Sequence, residues 1–333
     1  MMAFDSLHAG GVALPVSPWI VKGLHMVTLT THVAVMNILL GTALLYAVGL
    51  YVGGDKGATA PKLPIWMAFT INTGVAPLLF CQALLAHYIY TSSILIAGWW
   101  LGAVFILIAA YYLSYLATSA EAVVSTRRLA ATAIALLLLF VSFIFVCNID
   151  LMTHPVRWNR YFDSPHGWLL FTGGADTLLR WAHVVLAALF HALLLGRILG
   201  KADWLAGKKG RWLGGSFLLF LFATGIAHHG LLPATVKHMA GDGILDLTLL
   251  IISAGVLALV YVSGRLKLAG LWACSNLTLM ILFREDIRSG FLAPVTNTGP
   301  ADYGSFTMFV LSLVLGGAAL GYMVSLLRKG GGA

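Results

Sequence analysis

Charged residues are scarce in this chain: Asp, Glu, Lys and Arg make up 10% of its 333 residues, and the mean hydropathy is +0.92. Soluble domains carry roughly 25% charged residues, so this chain lacks the charge to cover a globule that faces water. Its long apolar runs instead suit a bilayer, whose core of ~30 Å is crossed by about 20 helical residues. The composition therefore indicates an all-α, polytopic integral membrane protein.

Cysteine is also rare, with three residues, and none of them forms a CxxC or CxxCH motif. This pattern predicts neither a structural zinc site nor a covalently attached haem. The lysines and arginines stand at the ends of apolar runs rather than in a basic stripe, which argues against nucleic acid as a partner. No basic segment precedes the first apolar run, so we expect no cleaved signal peptide.

The apolar runs predict about nine transmembrane helices in a single transmembrane domain, residues 1–333. A first four-helix bundle would cover residues 20–147, and a second helical bundle would cover residues 175–327. The predicted spans are residues 20–52, 64–90, 93–119, 129–147, 175–199, 211–233, 243–263, 266–283 and 304–327.

The distribution of basic residues predicts the orientation. Cytoplasmic loops are enriched in Lys and Arg. With the N-terminus outside, 13 of the 20 basic residues fall on the inner side, including the cluster at residues 201–211. The opposite orientation would place that cluster outside, so we expect an outer N-terminus.

Histidine is the most informative residue type, because a histidine within a membrane span is costly and usually faces a bundle interior with a purpose. Among eleven histidines, five lie in the parts of spans near the outer face: His25, His87, His183, His228 and His229. Several histidines at matched depth favour ligation of haem b, with one to three haems. The alternative is that each imidazole simply hydrogen-bonds a neighbouring helix.

Depth selects the candidate axial pairs. His183 and His228 each lie about 8–12 Å below the outer boundary at ~1.5 Å per residue, and His229 is adjacent. His191 lies eight residues past His183 and is rotated from it by about 80°, so it need not share that site.

A second group of candidates lies in the first two spans. His25 and His87 are both three to five residues from the outer ends of their spans. His32 is two helical turns deeper than His25 on the same face and could ligate a separate haem.

Two cations accompany these histidines. Lys22 precedes His25 by about one turn, and Arg180 precedes His183 by three residues. Haem propionates need cations near the membrane surface, and arginine binds carboxylates in a bidentate manner. Snorkelling of both side chains to the interface explains their positions equally well.

Several segments, in order, resemble subunit I of the cytochrome bd quinol oxidases. TLTTHVAVMNILLGTALLYAVGLY is similar to the family's first helix, and the histidine that ligates a haem there corresponds to His32. The second span has Gln82 in register. DTLLRWAHVVLAALFHALLLG resembles the fifth helix, so the resemblance assigns His183 to the low-spin haem b. ATGIAHHGLLPATVKHMAG and LAPVTNTGPADYGSFTMFVLSLVLGG resemble the end of the sixth helix and the approach to the last.

The chain also departs from that family, as a shortened and divergent member would. The span at 93–119 has no acidic residue where the family carries glutamates for proton delivery. The span at 243–263 has no methionine where the family ligates the low-spin haem, so His228 or His229 would replace it. Haem b binding is therefore the best-preserved property, and oxygen reduction is the least preserved.

These observations lead to a functional expectation: a membrane haem b subunit of a respiratory electron-transfer complex in the bacterial inner membrane. It would pass electrons between a quinone pool and an extracytoplasmic redox partner, such as a multihaem c-type cytochrome, alongside other membrane subunits and lipid. The alternatives are a truncated bd-type terminal oxidase subunit and a haem-free anchor or assembly subunit.

Overall fold

The structure is a computed structural model that describes residues 16–53, 62–163, 165–200, 207–239 and 243–292, together with residues 304, 307–308, 310–318 and 322. Within these residues the secondary structure is helical, with no strand. The helices are α1 (Pro18–Val52), α2 (Leu63–Leu95), α3 (Ala97–Thr118), α4 (Val124–Thr153), α5 (Ala175–Ile198), α6 (Gly207–Leu231), α7 (Ala234–Met239), α8 (Gly243–Val262) and α9 (Leu266–Phe291), with a 3₁₀ segment at Pro155–Asp163.

Seven of these helices, α1 to α6 and α9, are long and apolar enough to cross a membrane, which confirms a helical membrane bundle. The apolar part of α8, Leu247–Val262, is shorter. The structure describes 13 of the 24 residues of the ninth predicted span, all of them helical, but not a continuous helix across it, so the count of nine stays a prediction. Two helices continue past their predicted ends at 147 and 283. These extensions of α4 and α9 carry charged residues that matter below.

Contacts between helix ends show that the long helices alternate in direction. Arg128 at the start of α4 donates to the Leu50 carbonyl at the end of α1, 2.9 Å away. At the other end of the bundle, His154 just after α4 packs against Phe291 at the end of α9. We call the end where α1 and α5 begin the histidine end, because it carries His25, His87, His183, His228 and His229.

Helices α1 and α5 cross closely at small residues. A Cβ atom on Gly41 would lie 2.0 Å from the Ala188 carbonyl oxygen and 2.7 Å from the Ala192 Cβ. Small residues let two membrane helices approach to backbone contact, where dispersion forces favour their association. This crossing joins the two predicted bundles, since α1 belongs to the first and α5 to the second.

Helix α8 is held to its neighbours by one buried tyrosine at the end opposite the histidine end. The Tyr261 hydroxyl donates to the Gly210 carbonyl at 2.6 Å and accepts a hydrogen bond from Arg197 at 2.6 Å. Gly214 leaves the room for this hydroxyl, because a Cβ there would lie 2.1 Å from it. Helices α5, α6, α8 and α9 thereby form a closed ring in which α5 and α8 each contact both α6 and α9.

Candidate functional site: a histidine- and arginine-lined cavity

The ring of α5, α6, α8 and α9 encloses a cavity of about 650 Å³, with one wall completed by α4. This volume lies within the range of ~300–1,000 Å³ that is usual for ligand sites. Most of the lining is apolar, and its polar members within the described residues are Thr153, Arg180, His183, His191, His228, His229, Asn276, Arg284 and Arg288. Three arginines and no described carboxylate line the cavity, so its charge suits an anionic ligand.

His183 is oriented by its neighbour α6. Its Nδ1 lies 3.0 Å from the Leu221 carbonyl, to which it donates, and Gly225 gives the ring space, since a Cβ there would lie 3.2 Å from Cε1. A histidine whose Nδ1 donates to a carbonyl keeps its lone pair on Nε2, the arrangement that orients metal-binding histidines. Nε2 of His183 makes no hydrogen bond with any described residue.

His228 and His229 line the same cavity, as the matched-depth argument predicted for the end of α6. The His228 Nε2 lies 3.5 Å from the Arg180 Nη2, the limit of a hydrogen bond. The His229 ring packs against Phe283 of α9, with centroids 5.8 Å apart, and its Nδ1 is buried without a hydrogen bond among the described residues. Both imidazoles therefore line the cavity that His183 also lines.

Arg180 and two arginines of α9 supply the positive charge. Arg288 is buried and bonds Glu285 at 2.5 Å, so its charge is compensated within the protein. Arg284 forms no hydrogen bond or ion pair with any described residue. The neighbouring Glu285 favours this buried charge but is already bonded to Arg288, so an anionic ligand in the cavity would stabilise Arg284 further.

The predicted site residues of the first two helices have different surroundings. His25 is buried, its Nδ1 lies 3.1 Å from the Pro77 carbonyl, and its Nε2 lies 3.4 Å from the Arg288 Nη1. Both ring nitrogens are therefore engaged. Lys22 lies 3.9 Å from Glu285, so it has a protein carboxylate as its partner.

His87 lies on the exposed surface of α2, and the structure does not bring it to the buried His25. The His32 ring packs against α2 at Gly74, where a Cβ would lie 2.8 Å from Cε1. Its Nδ1 is buried without a hydrogen bond among the described residues. The depth-matched pair His25 and His87 thus does not meet face to face, whereas His183 and the histidines of α6 share a cavity.

Several residues of the cavity lining were outside the predicted site, and those that matter most to its chemistry are His191, Asn276, Met280 and Arg284. His191 reaches the lining despite its rotation from His183, because the cavity extends along α5 and is bounded by both α6 and α9. Asn276 and Met280 line it from α9. Asn276, Met280 and Arg284 follow one another at intervals of four residues and therefore share one face of α9. This spacing was the pattern in the sequence that could have predicted their common position.

A second cluster of polar residues lies where α4 ends and α5 begins. Asp150, His154 and Asp176 bring ligand atoms within 4.8 Å of one another, a spacing that could hold a metal ion. Arg157 already supplies a cation to this cluster: it bonds Asp150 and lies 3.6 Å from Asp176. The cluster is therefore an ion-pair network that joins α4, the 3₁₀ segment and α5 beside the cavity.

No protein-family model matches this chain, and no curated protein is significantly similar to it.

Proposed function

We propose that this chain is the haem b-binding membrane subunit of an electron-transfer complex, with the haem in the cavity between α5, α6, α8 and α9. The orientation of His183 carries the proposal. The Leu221 carbonyl holds its Nδ1 proton, so the Nε2 lone pair is available for iron in a side chain that lines the cavity. Imidazole is a common axial ligand of haem iron.

The charge of the cavity supports an anionic macrocycle. Haem carries two propionate carboxylates, and arginine is the side chain best suited to bind carboxylates. Arg180 stands one turn from His183, and Arg284 lines the cavity from the neighbouring helix α9 without a hydrogen bond among the described residues. These two guanidinium groups would hold the propionates toward the histidine end.

Bound haem would supply a one-electron redox centre. The protein's own contribution is to position and shield it. Apolar side chains of all four helices, such as Phe190, Leu221 and Leu250, line the cavity and exclude water. The backbone carbonyl of Leu221 fixes the His183 ring, and a fixed ring keeps iron ligation in one geometry.

Three further residues of the cavity lining could hold the iron together with His183. His228 and His229 come from α6, as the sequence predicts. Met280 lines the cavity from α9 and offers a thioether. Methionine paired with histidine is an established haem ligation that raises the reduction potential. Substitution of each residue in turn distinguishes these candidates.

The proposed setting is the bacterial inner membrane with the histidine end outside. The described basic residues at the opposite end, among them Arg127, Arg128, Lys208, Lys209 and Arg211, support this orientation through the positive-inside rule. A haem at the histidine end would lie within reach of an extracytoplasmic c-type cytochrome. The 3₁₀ segment at that end exposes Val156 and Phe162, side chains that a partner subunit or lipid could cover.

A bd-type terminal oxidase subunit remains the second candidate because of the resemblance through His32, Gln82 and His183. Proton delivery for oxygen reduction requires titratable side chains along a route to the haem. Within the described residues the cavity lining contains no carboxylate, which favours an electron carrier over an oxidase.

The His183→Ala variant tests the proposal. In reduced-minus-oxidised spectra of the purified protein, we expect wild type to show a low-spin haem b signal that this variant loses. His166, exposed in the turn before α5, provides the matched control, and His166→Ala should retain the full signal. Among the variants His228→Ala, His229→Ala and Met280→Leu, the one that removes the second iron ligand should contain a high-spin haem.

Two outcomes would contradict the proposal. A wild-type protein without any haem signal after expression with haem supplementation favours the haem-free anchor. An unchanged spectrum in His183→Ala removes this residue as a ligand. An additional haem d band would instead support the oxidase candidate.

A further inference from the structure

The end of the cavity away from the histidine end contains two buried side-chain nitrogen atoms without a hydrogen bond among the described residues. One is on His191 of α5, which donates from Nδ1 to the Ala187 carbonyl at 2.7 Å and so keeps the lone pair on Nε2. This Nε2 is buried and has no hydrogen-bond partner in the described part of the chain. Asn276, one turn beyond Ala273, has a buried Nδ2 that also has no hydrogen bond among the described residues.

Buried polar groups in native proteins are nearly always hydrogen-bonded, and exceptions need an explanation such as a ligand. Both groups lie in the lining of the same cavity, on α5 and α9, which contact each other. Together they provide a hydrogen-bond acceptor, the imidazole Nε2, and a donor, the carboxamide Nδ2. This combination matches a ligand with an oxygen that can be a hydroxyl or a carbonyl.

The cavity reaches the surface of the bundle where α6 and α8 are least closely packed. Leu219 and Ile226 of α6 and Ile251 of α8 line the cavity and are also 67%, 51% and 40% exposed at the surface of the bundle. The two helices are joined through Tyr261 at the end of α8, so the gap lies nearer the histidine end than that contact. A lipid-soluble molecule could enter from the bilayer through this gap without crossing water.

The charge of this part of the cavity indicates a neutral ligand. Arg284 lies eight residues beyond Asn276 along α9, about 12 Å closer to the histidine end. Arg180 is eleven residues before His191 on α5, about 16 Å away. The cations that would hold haem propionates are thus remote from His191 and Asn276, and so is His183, about 12 Å from His191 along the helix.

We propose that His191 and Asn276 bind the headgroup of a quinone or quinol, whose apolar tail leaves the cavity between α6 and α8. Asn276 donates to a quinone carbonyl, and the quinol hydroxyl donates to the His191 Nε2. The gap at Leu219, Ile226 and Ile251 takes the isoprenoid tail. This site adds a defined quinone position to the proposed function. It rests on that function in one respect only, because the haem would be the redox partner of the bound quinone.

Binding of a short-tail benzoquinone tests the site. The full chain, purified and reconstituted in quinone-free lipid nanodiscs, is titrated with the probe, and its haem content is recorded separately. We expect His191→Leu and Asn276→Leu to weaken binding at least tenfold with unchanged haem content. Thr278→Leu is the matched control on the exposed surface of α9, because Thr278 bonds only the Cys274 carbonyl of its own helix, and it should bind as wild type does.

Photolabelling of the wild-type chain with an azidoquinone gives a second measurement that no variant's folding affects. We expect the label within residues 184–199 or 270–283. Label found only elsewhere, or equal affinity in wild type and both variants, would overturn the site. Loss of haem in His191→Leu would also overturn it, because His191 would then be an iron ligand.

These results also separate the site from the proposed function. Quinone binding that depends on His191 and Asn276 in a protein without haem would retain the site and remove the haem proposal. A haem-containing protein that binds no quinone probe would retain the haem proposal and remove the quinone site.

Discussion

In helices α1 to α4, small and aliphatic side chains fill the interior. Ala110 of α3, Ile134 of α4 and Leu50 of α1 are completely buried in one continuous core. Helices α5, α6, α8 and α9 pack differently, because their ring closes around a cavity and their buried core cluster lies only near Tyr261 and Phe190.

The two regions therefore treat similar histidines differently. In α1, His25 has both nitrogens engaged by protein groups and His32 packs against Gly74. In α5, His183 keeps Nε2 available beside a cavity. Histidines at comparable positions along their helices thus have different surroundings because the packing around them differs, and three substitutions test this contrast.

Gly41→Val should have the largest effect, since it separates the two regions. Its Cβ would lie 2.0 Å from the Ala188 carbonyl, and backbone cannot rotate away as a side chain can. We expect a loss of at least ~3 kcal/mol in the free energy of unfolding, near the upper end for overpacked sites. Unfolding by denaturing detergent, followed by helix content, measures this loss.

Gly102→Val serves as the control for that substitution. A Cβ on Gly102 of α3 meets no atom within 4 Å, so this variant should unfold near the wild-type midpoint. Equal stability of the two variants would show that α1 and α5 do not cross at Gly41.

Tyr261→Phe should have an intermediate effect that is confined to the region with the cavity. The substitution leaves the Arg197 guanidinium and the Gly210 carbonyl without their shared hydroxyl. An unsatisfied buried polar group costs about 1–3 kcal/mol, so we expect a loss of that order. Hydrogen exchange should rise in α8 and the start of α6 more than in α1.

The matched control is Tyr112→Phe, because Tyr112 is 71% exposed on α3. This variant should exchange as wild type does. A uniform rise across all helices in Tyr261→Phe would mean that the two regions unfold as one unit.

His32→Ala should have the smallest effect on cofactor content. A haem between α1 and α2, with ligands among His25, His32 and His87, was a prediction from the sequence. The close approach of His32 to Gly74 and the engaged nitrogens of His25 favour a haem in the other region only. We expect an unchanged haem-to-protein ratio in His32→Ala, measured as pyridine haemochrome.

A lowered haem-to-protein ratio in His32→Ala would support the predicted haem between α1 and α2. The two regions would then not differ in haem binding. The same measurement on His183→Ala provides the comparison, since that variant should lose its haem.

Much of the fold follows from the sequence because each long apolar run has one way to satisfy its backbone in lipid, which is a helix. The structure confirms helices at the first eight predicted spans. The ends were less predictable: α9 continues from the predicted 283 to Phe291 although the added turns carry Arg284, Glu285 and Arg288. Charged residues do not end a helix when they find partners inside the bundle, as Arg288 does with Glu285.

Part of the candidate site was also predictable. Equal depth from the helix ends brought His183 together with His228 and His229 on neighbouring helices. The same argument paired His25 with His87, which the structure separates, because His25 contacts α2 at Pro77, ten residues or about 15 Å before His87 along that helix. His191, Asn276 and Met280 could not be assigned from depth, because they share a site only through the closed ring of four helices.

The sequence by itself thus determined the class of protein, a helical membrane bundle, and the spacing of the histidines along each helix, because both depend on composition and on the fixed rise of a helix. Only the tertiary structure decided which histidines face a cavity and which are engaged by protein. That choice depends on small residues such as Gly41, Gly74 and Gly225, which set how closely two helices approach and where a side chain has room. Close approach at Gly74 packs α1 against α2, close approach at Gly41 joins the two regions, and the ring around His183 leaves space for a ligand in the second region.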